Sequence, residues 1–495
     1  MTVPELRVST AAPETIEVDV LVLGVTVGTD GPVLLHQSSL GASLASFGVT
    51  GARDELVRLP GSALGVDVAA ASIALIGIGK EVDSESIRYA AGAATRQLTG
   101  ATSVALALPV TDAAQALAAL EGAALGAYSF DTYKKVTASD ARRPVASVVL
   151  VTTTSIPESV IAKAIVVAEA VHIVRDLETT PPKDLYPETL ADAAVRHAAG
   201  TGATVTVLAG DDLVAGGFGG IIGVGQGSAH PPRLVKVEYS PAGASKHIAL
   251  VGKGITYDTG GLSLKPAGSM VGMKTDMTGA ATVLAVAVAA AKLELDVKIT
   301  AWLCISENMV GADPIRPDDV LIMKNGTTVE VTNTDAEGRL VMADGIAAAS
   351  EEFPDAIIDV ATLTGAQVVA LGMRYVGVMG SDDLAPLVVT TADAASEPFW
   401  RMPLAPELTA RLKSDVADLV NATPGNSAAG MLLAGVFLQE FVGPTKDGAG
   451  RIPWAHLDIA GPSENKGAGY GFTPKGATGV TVRTLIDLAA SYSAA

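Results

Sequence analysis

Residues 250–266 read LVGKGITYDTGGLSLKP: an apolar run passes into a glycine-rich turn that carries Lys253, Asp258 and Lys265. How that turn is read decides the fold. In a nucleotide-binding protein it would be a phosphate loop, which needs a glycine five positions ahead of its Gly-Lys pair and Ser or Thr after the lysine. His247 and Gly254 stand at those places. The segment is therefore a buried strand opening into a charged loop, and the phosphate cradle is excluded. A second glycine-dense stretch, GGFGGIIGVGQG at 216–227, lacks the dinucleotide fingerprint in a strand–turn–helix frame. Close backbone packing accounts for it better.

Outward from this strand, similar apolar runs recur on both sides. ATVTVLAG (203–210), RLVKVEYS (233–240) and HIALVGKG (247–254) precede or contain it. KITAWLCIS (298–306), AIIDVATLTG (356–365) and WAHLDIAG (454–461) follow, with helical runs between. Such alternation predicts an α/β domain with a mixed central sheet. The first third alternates too. VDVLVLGVTV (18–27), ASIALIGIG (71–79), TSVALALPV (102–110) and VASVVLVTT (145–153) read as strands, and 84–98 and 113–128 as helices. A long helix is expected over 157–180, stopped by the double proline at 181–182. The expected organisation is a smaller N-terminal α/β accessory domain, 1–165, and a larger C-terminal catalytic α/β domain, 166–495. No internal repeat or low-complexity tract stands out.

The totals narrow the class. Hydrophobic residues make up 49% and charged ones 18%, a composition that folds rather than stays disordered. Aromatics are only 4%, so Ala, Val, Leu and Ile must fill the core. Lys and Arg number 34 against 53 Asp and Glu, a net charge of −19 that repels phosphate backbones and anionic membranes. Nucleic acid is therefore a poor partner. The one cysteine, Cys304, lies in an apolar run and reads as a buried structural thiol. MTVPELRVST has no basic-then-apolar leader, and runs such as ATVLAVAVAAAKL are broken by lysine before they reach spanning length. A soluble, cytoplasmic protein with no membrane partner is expected.

Four carboxylates carry the chemistry. Taken singly, each is bland: Asp276 would cap the Ala-rich helix behind it, and Asp335 and Glu337 would form an acidic first turn. By its two-residue spacing, NTDAEGRL (333–340) reads as strand-type alternation running into a helix start. Together, Asp258, Asp276, Asp335 and Glu337 all sit where an apolar strand passes into the next loop or helix. In an open α/β sheet such junctions converge on the crevice at the strand ends. Four carboxylates gathered there repel one another unless positive charge sits among them. Two divalent cations, Mn²⁺, Mg²⁺ or Zn²⁺, would balance them. The histidines at 36, 172, 197, 230, 247 and 456 show no HExxH spacing, which counts against a His-based zinc site.

At this point a resemblance becomes specific. NTDAEGRL resembles the signature of the leucyl aminopeptidase family, the cytosol aminopeptidases. VGKGITYDTGG, SLKP, MKTDMTGAA, SENM and ATLTGA follow that family's pattern in its order. The likeness covers about residue 170 to the C-terminus, while the first domain is similar only in length and general α/β character. It implies a two-metal peptidase. Asp258 and Glu337 would bridge both ions, Lys253 and Asp276 would complete one shell, and Asp335 the other, by carboxylate and main-chain carbonyl. A lysine ligand must be neutral, and adjacent divalent ions would drive its pKa down. Lys265 would polarise the scissile carbonyl and stabilise the gem-diolate, and Arg339 would hold a bicarbonate ion acting as general base.

Met273, Asn308, Thr362, Leu363 and Gly365 match positions lining the family's substrate pocket. For Met273 and Leu363, plain core packing is nearly as good a reading. Around the double proline, where the family often has asparagines, this chain has TTPPKDLYP, with Lys183 and Asp184. The implied activity is release of N-terminal leucine and other apolar residues from peptides. The implied cofactors are two Mn²⁺ or Zn²⁺ ions per subunit, with Mg²⁺ or Co²⁺ as alternatives. The implied assembly is a homohexamer of stacked trimers. Two other readings remain: another two-metal hydrolase such as a phosphoesterase, and a regulatory or DNA-binding protein keeping the peptidase fold. The charge of −19 speaks against the second.

Overall fold

The computed structural model describes residues 3–35, 44–64, 67–135 and 143–493. They form two compact units. One runs to His172 and takes in Asn465–Gly476; the other comprises Ile173–Glu464 and resumes at Ala477. The helix expected at 157–180 is present as Glu158–Thr179.

The first unit is built on a 7-stranded sheet. Its path runs Glu5–Ser9, Ser147–Val151, Ser103–Ala107, Val20–Gly28, Ser72–Gly79 and Leu56–Pro60. Pairing is parallel except at Leu56–Pro60 and at Gly31–Leu34, which folds back on Val20–Gly28. Helices Ser84–Gln97 and Ala113–Gly126 begin where Asp83 and Asp112 accept the backbone N–H of Ser86 and Gln115. Gly122 lets the two helices touch: a Cβ there would lie 2.1 Å from the Arg88 carbonyl oxygen.

The second unit holds an 8-stranded mixed sheet, as the sequence predicts. Four parallel strands lie at its centre, in the order Trp454–Asp458, Ala356–Ala361, His247–Asp258, Lys298–Asn308. Val376–Gly380 runs antiparallel to them on one side; on the other, Arg233–Tyr239 runs antiparallel and Thr204–Ala209 pairs antiparallel to it in turn. Phe399–Arg401 closes the edge beside Val376–Gly380. After His247–Asp258 the chain pairs its next strand on one side, and the Ala356–Ala361 strand on the other. That reversal marks the crevice where α/β sheets place their ligands.

Two helices cover the central strands on opposite faces. Gly252 abuts helix Thr278–Lys292, where a Cβ would meet the Gly279 carbonyl at 2.5 Å. The next side chain back, Val251, meets helix Gly338–Ser350, since a Cβ on Gly345 would lie 2.7 Å from it. Strand side chains alternate, so Lys253 shares the Val251 face. Cys304 packs here as a buried free thiol. Among the described residues, no helix is long and apolar enough to cross a membrane.

Candidate metal centre

The four parallel strands end at Asp258, Asn308, Ala361 and Asp458, and the predicted residues gather at these ends. Lys253, 3% exposed, projects from the interior of its strand. Its ammonium lies 2.8 Å from Asp276 Oδ2 and 3.0 Å from Glu337 Oε1, and donates to the Thr362 carbonyl at 3.0 Å. Lys265 lies 2.8 Å from Asp258 Oδ2 and 2.6 Å from Asp335 Oδ1. One carboxylate oxygen each from Asp258, Asp335 and Glu337 falls within 4.8 Å of the others. Asp276 joins through Lys253. All five residues expected to hold metal are thus brought together with Lys265.

Local structure corrects part of the sequence reading. NTDAEGRL contains no strand: Asn333 to Glu337 form a turn, and helix Gly338–Ser350 begins directly behind it. The turn is held by Asn333, whose side-chain oxygen accepts the Asp335 N–H at 2.9 Å. None of the side chains of Asp276, Asp335 and Glu337 caps a helix. Asp276 lies in the short turn Met273–Met277 and accepts from Lys253 and the Thr362 hydroxyl instead, and no side chain caps either following helix. All three carboxylates are kept for the cluster.

The electrostatics are those of an overcrowded acid site. Burial, with Glu337 and Asp276 beside it, lifts Asp258 to about 7 against the pull of the lysines. Burial and the Asp258 charge lift Asp335 to about 6, although the Lys265 hydrogen bond opposes them. Burial also works against charged Glu337, but Lys253 and Lys265 hold it below the usual carboxylate range. Desolvation would neutralise Lys253, yet Asp276, Glu337 and Asp258 hold it above the usual lysine range. Glu337 Oε2 is buried without a hydrogen-bond partner. An oxygen-rich donor set with an unpartnered buried carboxylate oxygen fits divalent cations.

Arg339 stands apart from the acids. Its Nη1 donates to the Asn421 carbonyl at 2.7 Å, its guanidinium stacks 5.9 Å over Phe437, and its Nε is buried without a partner. Burial lowers it to about 10, against Glu337 and Asp458. Among the substrate-pocket candidates, Asn308 is 1% exposed and donates to Asp258 Oδ1 at 2.8 Å and to the Thr334 carbonyl at 3.0 Å, so it orients a carboxylate. Thr362 is buried against Asp276, Met273 and Leu363 are half-buried, and Gly365 opens helix Gly365–Leu371 in free space. Sequence reasoning missed Thr334, whose hydroxyl accepts the Ser263 N–H at 2.7 Å and donates to the Gly260 carbonyl at 2.6 Å. It sews the lysine loop to the acidic turn. It also missed Asp458. The available signal was position, since Asp258, Asn308 and Asp458 all end parallel strands.

This site sits in a sequence with close relatives. A profile described as the cytosol aminopeptidase family, catalytic domain, matches residues 172–486, and its N-terminal domain counterpart matches 35–137. The chain belongs to the cytosol aminopeptidase family. The likeness therefore extends into the first domain, further than general α/β character suggested. Probable cytosol aminopeptidases of Clavibacter michiganensis subsp. michiganensis and Leifsonia xyli subsp. xyli are each 56% identical, with 100% of both chains covered. The bottromycin maturation enzyme BotP, solved in complex with Mn, superposes with a TM-score of 0.85 at 36% identity, over 96% of this chain and 100% of that one. A tomato leucine aminopeptidase variant gives a TM-score of 0.85 at 28% identity, over 99% of this chain and 96% of that one. As a member of this family, the chain is an aminopeptidase.

Proposed function

We propose that the cluster holds two divalent cations, Mn²⁺ or Zn²⁺, and that the enzyme prefers leucine and other apolar N-terminal residues. The observation that carries the metal reading is the convergence of Asp258, Asp335 and Glu337 within 4.8 Å, joined by Asp276 and faced by two lysines. Two divalent charges would cancel four carboxylates. Asp258 and Glu337 would serve both ions, Lys253 and Asp276 one, and Asp335 the other. A lysine nitrogen ligates only when neutral, so Lys253 would give up its proton when cations take over the balancing of its acids. Bound there, the cations would supply Lewis-acid activation of water and of the scissile carbonyl.

The chain's own residues do the rest. Lys265 would direct its charge at the carbonyl oxygen as negative charge develops. Arg339, with an unpartnered N–H, would hold a bicarbonate ion as general base. The substrate's neutral α-amine would be held at the cluster, which restricts cleavage to free amino ends. Met273, Thr362, Leu363 and Gly365 would line the pocket for the first side chain. The catalytic work belongs to 166–495, with 1–165 as accessory. A cytoplasmic homohexamer completes the reading.

Chelation followed by dialysis should abolish cleavage of leucine p-nitroanilide, and added Mn²⁺, Co²⁺ or Zn²⁺ should restore it. The N-acetylated substrate should stay intact, because acetylation removes the amine lone pair. Full activity in excess chelator, or equal rates on both substrates, would overturn the proposal.

A further inference from the structure

The loop Thr362 to Thr364 leaves the Ala356–Ala361 strand at the sheet's crevice. Its first residue touches two of the proposed ligands: the Thr362 carbonyl accepts Lys253 Nζ at 3.0 Å, and its hydroxyl donates to Asp276 Oδ1 at 2.8 Å. The next two residues bond a different carboxylate. The Leu363 N–H donates to Asp458 Oδ1 at 3.1 Å, and the Thr364 hydroxyl donates to Asp458 Oδ2 at 2.7 Å. Asp458 ends the neighbouring parallel strand, opposite Ala361, and is 0% exposed. Its Oδ1 also accepts the Ala460 N–H at 3.2 Å.

Three donors thus converge on one buried carboxylate, and both of its oxygens must accept. Thr364 already accepts the Gln367 N–H at 3.0 Å as the cap of helix Gly365–Leu371, so its single proton is free only for Asp458. Asparagine would present an amide N–H₂ there and leave that proton without an acceptor. A buried carboxylate carries a large desolvation penalty, and charge-assisted hydrogen bonds offset it only when every donor is in place.

We propose that Asp458 is a positioning residue for the reaction. It clamps the Thr362–Thr364 loop, so that the Thr362 carbonyl and hydroxyl hold Lys253 and Asp276 in register. This inference rests on the metal reading above. Outer partners that orient ligands typically govern metal affinity by about 10–100-fold.

The test compares Asp458→Asn, Thr364→Val and Thr364→Ser with wild type. Mn²⁺ affinity is titrated calorimetrically, melting temperature is taken on metal-free protein, and kcat and KM are measured at saturating Mn²⁺. Asp458→Asn and Thr364→Val should bind Mn²⁺ about 10–100-fold more weakly while staying folded, with the residual loss at saturation in kcat rather than KM. Thr364→Ser keeps the hydroxyl and should match wild type in both. Wild-type Mn²⁺ affinity and kcat in the first two variants, or losses that follow only the unfolded fraction, would overturn the clamp. Wild type that binds no Mn²⁺ would overturn the metal reading together with it.

Discussion

At the scale of single residues, the site divides its charged groups by what they touch. Asp335 and Glu337 contribute oxygens to the cluster, whereas Lys265 reaches it from a loop. Asp335→Asn and Glu337→Gln should therefore lose bound metal together with activity, as metal analysis of the purified variants would show. Lys265→Ala should keep its metal yet lose about 2–4 kcal/mol of transition-state stabilisation, the range for one electrostatic donor. Metal loss in Lys265→Ala would refute this division. Gly338 is the quieter test. A Cβ there would lie 2.4 Å from Lys253 Cε and 2.6 Å from its Nζ, and the lysine that must move is held by Asp276, Glu337 and the Thr362 carbonyl. Gly338→Ala should displace Lys253, at a cost of about 1–3 kcal/mol in stability and with weakened metal binding. Melting temperature and metal titration check both.

At the scale of elements, most of the catalytic sheet was legible. The runs at 247–254, 298–306, 356–365 and 454–461 are long and apolar because both faces are covered by helices, and such strands announce themselves. Phe399–Arg401 and the small sheet of Val320–Ile322, Thr328–Glu330 and Leu419–Val420 did not, being only two or three residues long, and neither did Val376–Gly380, an inner strand with two glycines in five residues. The acidic turn was misread because two-residue spacing also suits a turn held by Asn333. Thr334 gave no signal because its donor Ser263 comes from a segment 71 residues away, whereas Asp458 showed only its place at a strand end, its Leu363 and Thr364 donors lying far off in sequence. One buried pair in these strands is directly testable. Asp359 accepts from His456 Nδ1 at 2.6 Å and from Trp454 Nε1 at 2.8 Å, and both Asp359 and His456 are 0% exposed. His456→Phe leaves that carboxylate one partner short and should cost about 3–5 kcal/mol, whereas adding Asp359→Asn, which removes the charge yet can still accept the Trp454 N–H, should recover part of the loss. Denaturant midpoints of the two variants decide it; equal midpoints would mean the pair is not coupled.

For the whole molecule, 53 acids stand against 34 bases, yet stability at rising pH turns on the few acids that are buried. Burial raises Glu178 from 4.5 to about 8, with Glu464 adding to it and Thr278, Lys274 and Arg175 opposing. Burial raises Asp344 from 3.8 to about 7, although the backbone N–H groups of Ile221 and Lys324 bind it. Both are protonated in the folded chain where they would be ionised in the unfolded one. Their contribution is fully present below the ordinary carboxylate range and is lost progressively as pH rises from there to about 7 for Asp344 and about 8 for Glu178. Across that window each removes about 1.4 kcal/mol per pH unit. Self-repulsion of a −19 chain pushes in the same direction, so the wild-type slope alone does not separate the two causes. Glu178→Gln does. Glutamine can still accept the Thr278 hydroxyl, now 3.0 Å from Oε2, and cannot ionise. With Mn²⁺ saturating throughout, its urea midpoint should match wild type near pH 5 and exceed it near pH 8.5. Parallel curves for the two proteins would assign the whole decline to surface charge and remove Glu178 from the account.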